Sequence, residues 1–252
     1  MGVDLNGHVV SVGTVPVQPE FEPLLKDVLA TLSQPAFGLE GIYLYGSVAR
    51  GDAHAEASDL DLTLILRDPP QAAVLEQLEL ARLALEQRHS CVSKIDFDIG
   101  HRAQVLAPEN HHRWGFWLKH HCRCVWGDDL GLRFGPFRPS RDIALALNGD
   151  FAQVLSGYRA SILQAANTPQ RLRLQREAAR KLIRSTHTLR SPDALMWPQT
   201  LEEHVTLFTQ RYPTRVAQIA YFLFEARNPS AECAAFLQRL DAFVAWMASQ
   251  SE

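Results

Sequence analysis

The stretch from Gly41 to Leu66, GIYLYGSVARGDAHAEASDLDLTLIL, constrains this chain more than any other. Ile42 to Tyr45 predict an apolar strand, Gly46-Ser47 a small-residue turn, Val48 to Arg50 a short helical segment, and a second apolar strand opens near Asp59 and runs to Leu66. Residues two apart in a strand project to the same face, so Asp59 and Asp61 lie side by side. Like charges held that close repel, and a cation between them removes the repulsion, so Ser58-Asp59-Leu60-Asp61 reads as a metal cradle. In the preceding turn, Gly46 allows a backbone approach that a side chain would block. Ser47 is placed to cap the helix, with its hydroxyl and nearby N–H groups facing an anion. A phosphate binder followed by a metal binder is the logic of nucleotide chemistry.

The flanking sequence supplies a sheet for this stretch. Residues 8–17 predict a short edge strand or an irregular arm, and the apolar spacing from Pro19 to Leu32 an amphipathic helix. After the break at Asp68-Pro69-Pro70, Ala73 to Arg88 reads as a second helix. In Val92 to Ile99, Ile95, Phe97 and Ile99 alternate with Lys94, Asp96 and Asp98. A third strand there buries the first set and shows the acids on the opposite face.

Taken jointly, Gly46-Ser47, Arg50-Gly51 and Ser58-Asp59-Leu60-Asp61 resemble the signature of the polymerase β-type nucleotidyltransferase superfamily. The resemblance extends more loosely to its bacterial antibiotic (aminoglycoside) branch. It implies transfer of a nucleoside monophosphate, with AMP favoured, from ATP or another NTP to an acceptor hydroxyl, with release of pyrophosphate. It implies two Mg²⁺ ions held by Asp59 and Asp61, and a third acid that completes the first metal site and serves as general base. That acid usually follows an aliphatic residue early in its strand, which matches Lys94-Ile95-Asp96, so Asp96 is the choice and Asp98 the alternative. Gly46 and Ser47 would hold phosphates and Arg50 would assist, unless it pairs with Asp52 or Glu56.

Pro108 to Gly127 is rich in aromatic and His residues, yet Cys122 and Cys124 form a lone Cys-x-Cys, which argues against zinc. This segment reads as a core helix leading into a short strand, Cys124 to Trp126, followed by a linker, Gly131 to Pro139. Beyond Ser140 strand signals nearly vanish, and helices are expected over residues 142–166, 170–189, 200–212, 216–226 and 230–249. The expected fold is α+β: a small mixed sheet with flanking helices in a catalytic domain of residues 1–139, then a helical bundle of residues 140–252. On one bundle helix Arg173, Arg176, Arg180 and Arg184 share a face, with Lys181 beside it. This is either a solvated face or, as the resemblance implies for Lys181 and Arg184, a source of cations for the triphosphate. Arg180 and His187 also match the loose spacing of a ribonuclease family that often accompanies small nucleotidyltransferases.

Charge narrows the partners. Residues 1–140 carry 12 Lys and Arg against 18 Asp and Glu, a balance of −6. Residues 141–252 carry the remaining 13 against 10, or +3. This is no polybasic DNA-binding surface, and no window reaches the roughly 18 apolar residues of a membrane helix. Four scattered cysteines and no signal-like N-terminus lead to the expectation of a cytoplasmic protein. A small-molecule acceptor such as an aminoglycoside is favoured, with Glu109, Asp128, Asp129, Asp142 and Asp150 as candidate acids for its amines. The alternatives are a toxin- or antitoxin-type enzyme acting on protein or tRNA, and a non-catalytic nucleotide-binding regulator.

Overall fold

The computed structural model describes residues 2–230 and 232–250. They divide into two compact units, one from Val10 to Phe137 and the other made of the described residues up to Val9 and from Arg138 onward.

The first unit is built on four strands, β1 (Leu39–Tyr45), β2 (Leu60–Leu66), β3 (Ile95–His101) and β4 (Arg123–Gly127), in the order β3-β2-β1-β4. β1 runs antiparallel to β2 and β4, whereas β2 and β3 are parallel. A parallel pair needs a crossover, supplied here by a helix, Ala72–Arg88. Counting the short helix α2 (Gly46–Arg50) and the earlier α1 (Glu22–Leu32), that crossover is α3. Strand alternation divides the sheet's two faces. Leu60, Leu62, Leu64 and Ile95 bury against Leu24, Val28 and Leu32 of α1 and Leu78 and Leu85 of α3. On the opposite face Tyr43 and Ile65 pack with Trp114, Leu118 and Cys122. Residues 10–17 form no strand, and this arm is tied down where Val12 N–H donates to the His120 carbonyl at 2.8 Å.

The segment after β3 departs from the expected single helix. A short helix α4 (Arg102–Leu106) is followed by two π-helical stretches, His111–Gly115 and Trp117–His121. The wider π turn sets residues four apart nearly above one another, which turns Trp114, Leu118 and Cys122 toward the sheet together. Gly100 makes room for them: a Cβ there would stand 2.8 Å from the Trp114 indole. His120 is a structural residue, buried, with Nε2 accepting from Phe137 N–H at 3.0 Å and Nδ1 bonded to Ser11 Oγ at 3.1 Å.

The second unit is helical: α5 (Arg141–Asn148), α6 (Phe151–Gln164), α7 (Thr168–Ser185), α8 (Leu201–Arg211), α9 (Val216–Glu225) and α10 (Cys233–Ser249). The helix expected over 142–166 breaks into two at Gly149-Asp150, and the one expected over 170–189 ends in a 3-10 turn, Thr186–Leu189. Asn167 caps α7, its side chain accepting from Gln170 N–H at 2.9 Å. The core joins Leu155 and Ile162 to Ala178, Leu182, Ile219, Phe222, Phe236 and Phe243.

His187 gives this unit a pH signature. Burial, then the nearby Arg190 charge, push its imidazole down to about 3, so it stays neutral at physiological pH. A base whose folded pKa is depressed supports the fold above its unfolded value near 6.5, and that support is lost as pH falls toward about 3. His187→Gln should therefore flatten the acid limb of the stability profile between about pH 6 and 4, by up to about one proton's worth of slope. Denaturant titrations at a series of pH values measure it.

Candidate active site

Sequence register sets the geometry of the acids. Asp61 is the register partner of Tyr45 on β1 and of Asp96 on β3, and one pleat further along Thr63 pairs with Tyr43 and Asp98. Tyr45, Asp61 and Asp96 thus form one row across three strands on the face opposite α1 and α3. Asp59 stands just ahead of β2, where Ser93 Oγ donates to its Oδ1. The starts of β2 and β3 are held together by Leu60 N–H donating to the Lys94 carbonyl at 3.0 Å and Ser93 N–H to the Ser58 carbonyl at 3.0 Å. From the other side α3 grips the first residue of β3. Glu86 Oε1 accepts from Ile95 N–H at 2.7 Å, and Arg82 Nη1 donates to the Ile95 carbonyl at 3.2 Å. Asp96 is therefore positioned by a rigid helix through its neighbour.

Gly46 carries the closest approach in the site. Its φ of +74° lies in the left-handed region, and a Cβ built on it would fall 2.0 Å from Asp61 Oδ2. The Asp61 carboxylate occupies the space that any other residue's side chain would fill. The helix after it differs from expectation. α2 begins at Gly46 with Tyr45 as its extended N-cap residue, so Ser47 sits inside the first turn and does not cap it. Gly46, with φ +74°, takes up the chain reversal, and the helix starts two residues earlier than expected.

Lys94 is the residue that sequence reasoning passed over. Its Nζ lies 2.6 Å from Asp96 Oδ2 and 3.6 Å from Asp59 Oδ2, so one ammonium bridges an acid of β3 and the acid just ahead of β2. Only the parallel register of β2 and β3 makes this visible, since position 94 lies 35 residues beyond 59. Tyr45 also faces the acids. Burial first, then the charges of Asp61, Asp98 and Asp96, push its phenol well above the usual range, so it stays a neutral hydroxyl. Its ring meets Trp117 edge-on at 4.9 Å, and Trp117 Nε1–H donates to Thr63 Oγ1 at 3.0 Å. Asp98 keeps contact with solvent, but partial desolvation by the groups packed around it pushes its carboxyl up, opposed by the Arg113 charge.

Not every expected residue joins this row. Arg50 is exposed and makes a two-point pair with Asp52, Nε to Oδ2 at 3.2 Å and Nη2 to Oδ1 at 3.2 Å, which is the second of the two roles considered for it. Lys181 and Arg184 belong to the helical unit. There Lys181 Nζ lies 3.1 Å from Asn148 Oδ1 and 3.3 Å from Asp150 Oδ1, Arg184 is exposed, and Arg180 Nε donates to the Ala226 carbonyl at 3.3 Å.

The acids suit a divalent metal by their chemistry: Asp59, Asp61 and Asp96 offer hard carboxylate oxygens, and a cation, the Lys94 ammonium, already stands between two of them. As placed, no three His, Cys, Asp or Glu among the described residues are set to hold a metal ion.

Residues 24–104, which include β1 to β3 and the acid row, match the nucleotidyltransferase domain family. That segment carries the mixed sheet of a nucleotidyltransferase domain. The fold of the chain is similar to spectinomycin adenyltransferase AAD(9) from Enterococcus faecialis, solved with ATP and spectinomycin. Identity is 13%, the TM-score is 0.59, and the match covers 88% of this chain and 98% of that one. No curated protein matches the sequence. Among the described residues no helix is long and apolar enough to cross a membrane.

Proposed function

We propose that this enzyme moves AMP from ATP to a hydroxyl of a small cationic antibiotic of the aminoglycoside or aminocyclitol kind, releasing pyrophosphate. The observation that carries the reading is the row Tyr45, Asp61, Asp96, with Asp59 joined to it through Lys94 and Gly46 beneath the Asp61 carboxylate. The similar fold of an enzyme solved with ATP and spectinomycin supports the choice of nucleotide and acceptor class. Asp59, Asp61 and Asp96 would hold Mg²⁺, which when bound neutralises phosphate charge and polarises the phosphoryl oxygen. Asp96 accepts the proton of the acceptor hydroxyl at its carboxylate, a task that α3 supports by fixing Ile95. Gly46 and Ser47 offer backbone N–H groups and a hydroxyl to the phosphates, and Arg50, Lys181 and Arg184 are further candidates to bind them. The free thiols of Cys91, Cys122, Cys124 and Cys233 and the need for ATP fit the cytoplasm.

Incubation with each NTP, Mg²⁺ and a panel of spectinomycin, streptomycin, tRNA and proteins, followed by mass spectrometry, tests the reading. An AMP adduct on a small antibiotic is the expected product. Label on tRNA or protein alone overturns the acceptor, and absence of pyrophosphate from every mixture overturns the activity.

Lys94 gives a separate prediction. Its ammonium and a divalent ion seek the same carboxylates, so Lys94→Met should raise Mn²⁺ affinity by about five- to tenfold while lowering metal-free stability by about 1 kcal/mol. Mn²⁺ titration followed by paramagnetic resonance, with melts in and out of metal, checks both. Unchanged Mn²⁺ affinity would show that the two cations do not compete.

A further inference from the structure

The helical unit contains a cavity of about 250 Å³ that no part of the nucleotidyl reading uses. Leu189, Met196, Leu207 and Phe208 make its wall largely apolar, and His187 and Arg190 border it. Both polar residues are only 7% exposed. Arg190 spends Nη2 on the loop that follows it, donating to the carbonyls of Ala194 and, at 3.5 Å, Met196. Its face rests on Trp197, 5.5 Å from the ring centroid. The remaining guanidinium donors, on Nε and Nη1, are buried without an acceptor, and Nε2 of His187 is buried without a hydrogen-bond partner.

A guanidinium cannot shed its charge to escape this situation, and burying it without an anion costs several kcal/mol. Such a cost persists where the missing partner arrives from outside. We propose that this cavity binds a small monocarboxylate with a compact apolar body, its carboxylate answering Arg190 and its body filling the space beside Leu207 and Phe208. The charge balance selects a monoanion. His187 is neutral at physiological pH, so Arg190 is the fixed positive charge of the buried wall; the half-buried His204 also lines the cavity, and Arg211 adds a charge only at the exposed rim. A phosphate dianion would leave a surplus buried negative charge, whereas a carboxylate cancels Arg190 and leaves a second oxygen for His187. The site lies wholly within the helical unit and stands independently of the transfer reaction.

Calorimetric titration of the full chain with benzoate, its uncharged isostere benzamide, and phenyl phosphate tests the assignment. Benzoate should bind at least about tenfold more tightly than benzamide, the loss expected when a charged acceptor is removed from a buried donor. Arg190→Met should abolish the preference. Because that variant also frees the loop carbonyls of Ala194 and Met196, Leu207→Trp provides a second arm that fills the cavity and leaves Arg190 intact, and it too should lose benzoate binding. Equal binding of benzoate and benzamide, or benzoate binding unchanged in a folded Leu207→Trp protein, overturns the site. Preference for phenyl phosphate over benzoate overturns the monoanion assignment.

Discussion

Gly46→Ala should leave the enzyme folded and lower nucleotidyl transfer by about a hundredfold or more. Two effects act at one position. An alanine at φ +74° pays about 1–2 kcal/mol for the left-handed backbone, and its methyl falls 2.0 Å from Asp61 Oδ2, far inside contact distance. The backbone is fixed between β1 and α2, so the carboxylate is what moves. A shift of about 1 Å in a reacting group is enough for a loss of that size. Steady-state kinetics beside a thermal melt separates the effects: kcat should collapse while the melting temperature drops only a few degrees. A variant with near-normal kcat would mean that Asp61 is not held where the reaction needs it.

Asp96→Asn should cost about 10²–10⁴-fold in kcat, the usual contribution of a general base, whereas Asp98→Asn should cost less than about tenfold. The two acids occupy adjacent pleats on the same face of β3, so strand alternation leaves them equivalent and only the family resemblance favours Asp96. The structure separates them. Asp96 shares a row with Asp61 and contacts the Lys94 ammonium that also reaches Asp59, while Asp98 pairs across to Thr63 and faces Arg113. Comparable losses in both variants would spread the base role over the pair, and a loss in Asp98→Asn alone would reverse the assignment. Asn keeps the shape of either side chain, so circular dichroism should show little change.

Much of the catalytic unit was legible because its signals are local. The apolar runs Ile42 to Tyr45 and Leu60 to Leu66 and the alternation in Ile95 to Ile99 told which residues share a face, placing Asp61 with Asp96 and Asp98, while the choice of Asp96 came from the family resemblance. What escaped depends on pairing between distant segments. Lys94 reads in sequence as one more polar residue of an alternating strand, and only the parallel register sets it beside Asp59. The cap expected at Ser47 falls two positions earlier, at Tyr45, because a left-handed Gly46 can start a helix by itself. The π-helical stretches were hidden for another reason: the spacing of Trp114, Leu118 and Cys122 resembles an ordinary apolar stripe until Gly100 is seen to admit the indole. In the helical unit, amphipathic stripes announce helices without saying how they pack, so an Arg-rich stretch gave no sign that Arg190 would be buried against Trp197.

The most direct test of the central claim is pyrophosphate release from ATP, Mg²⁺ and an antibiotic acceptor by the wild type and by the double variant Asp59→Ala, Asp61→Ala. The acid row predicts acceptor-dependent release by the wild type and none above background from the double variant, with both proteins folded. Release that survives the loss of both carboxylates would contradict the account.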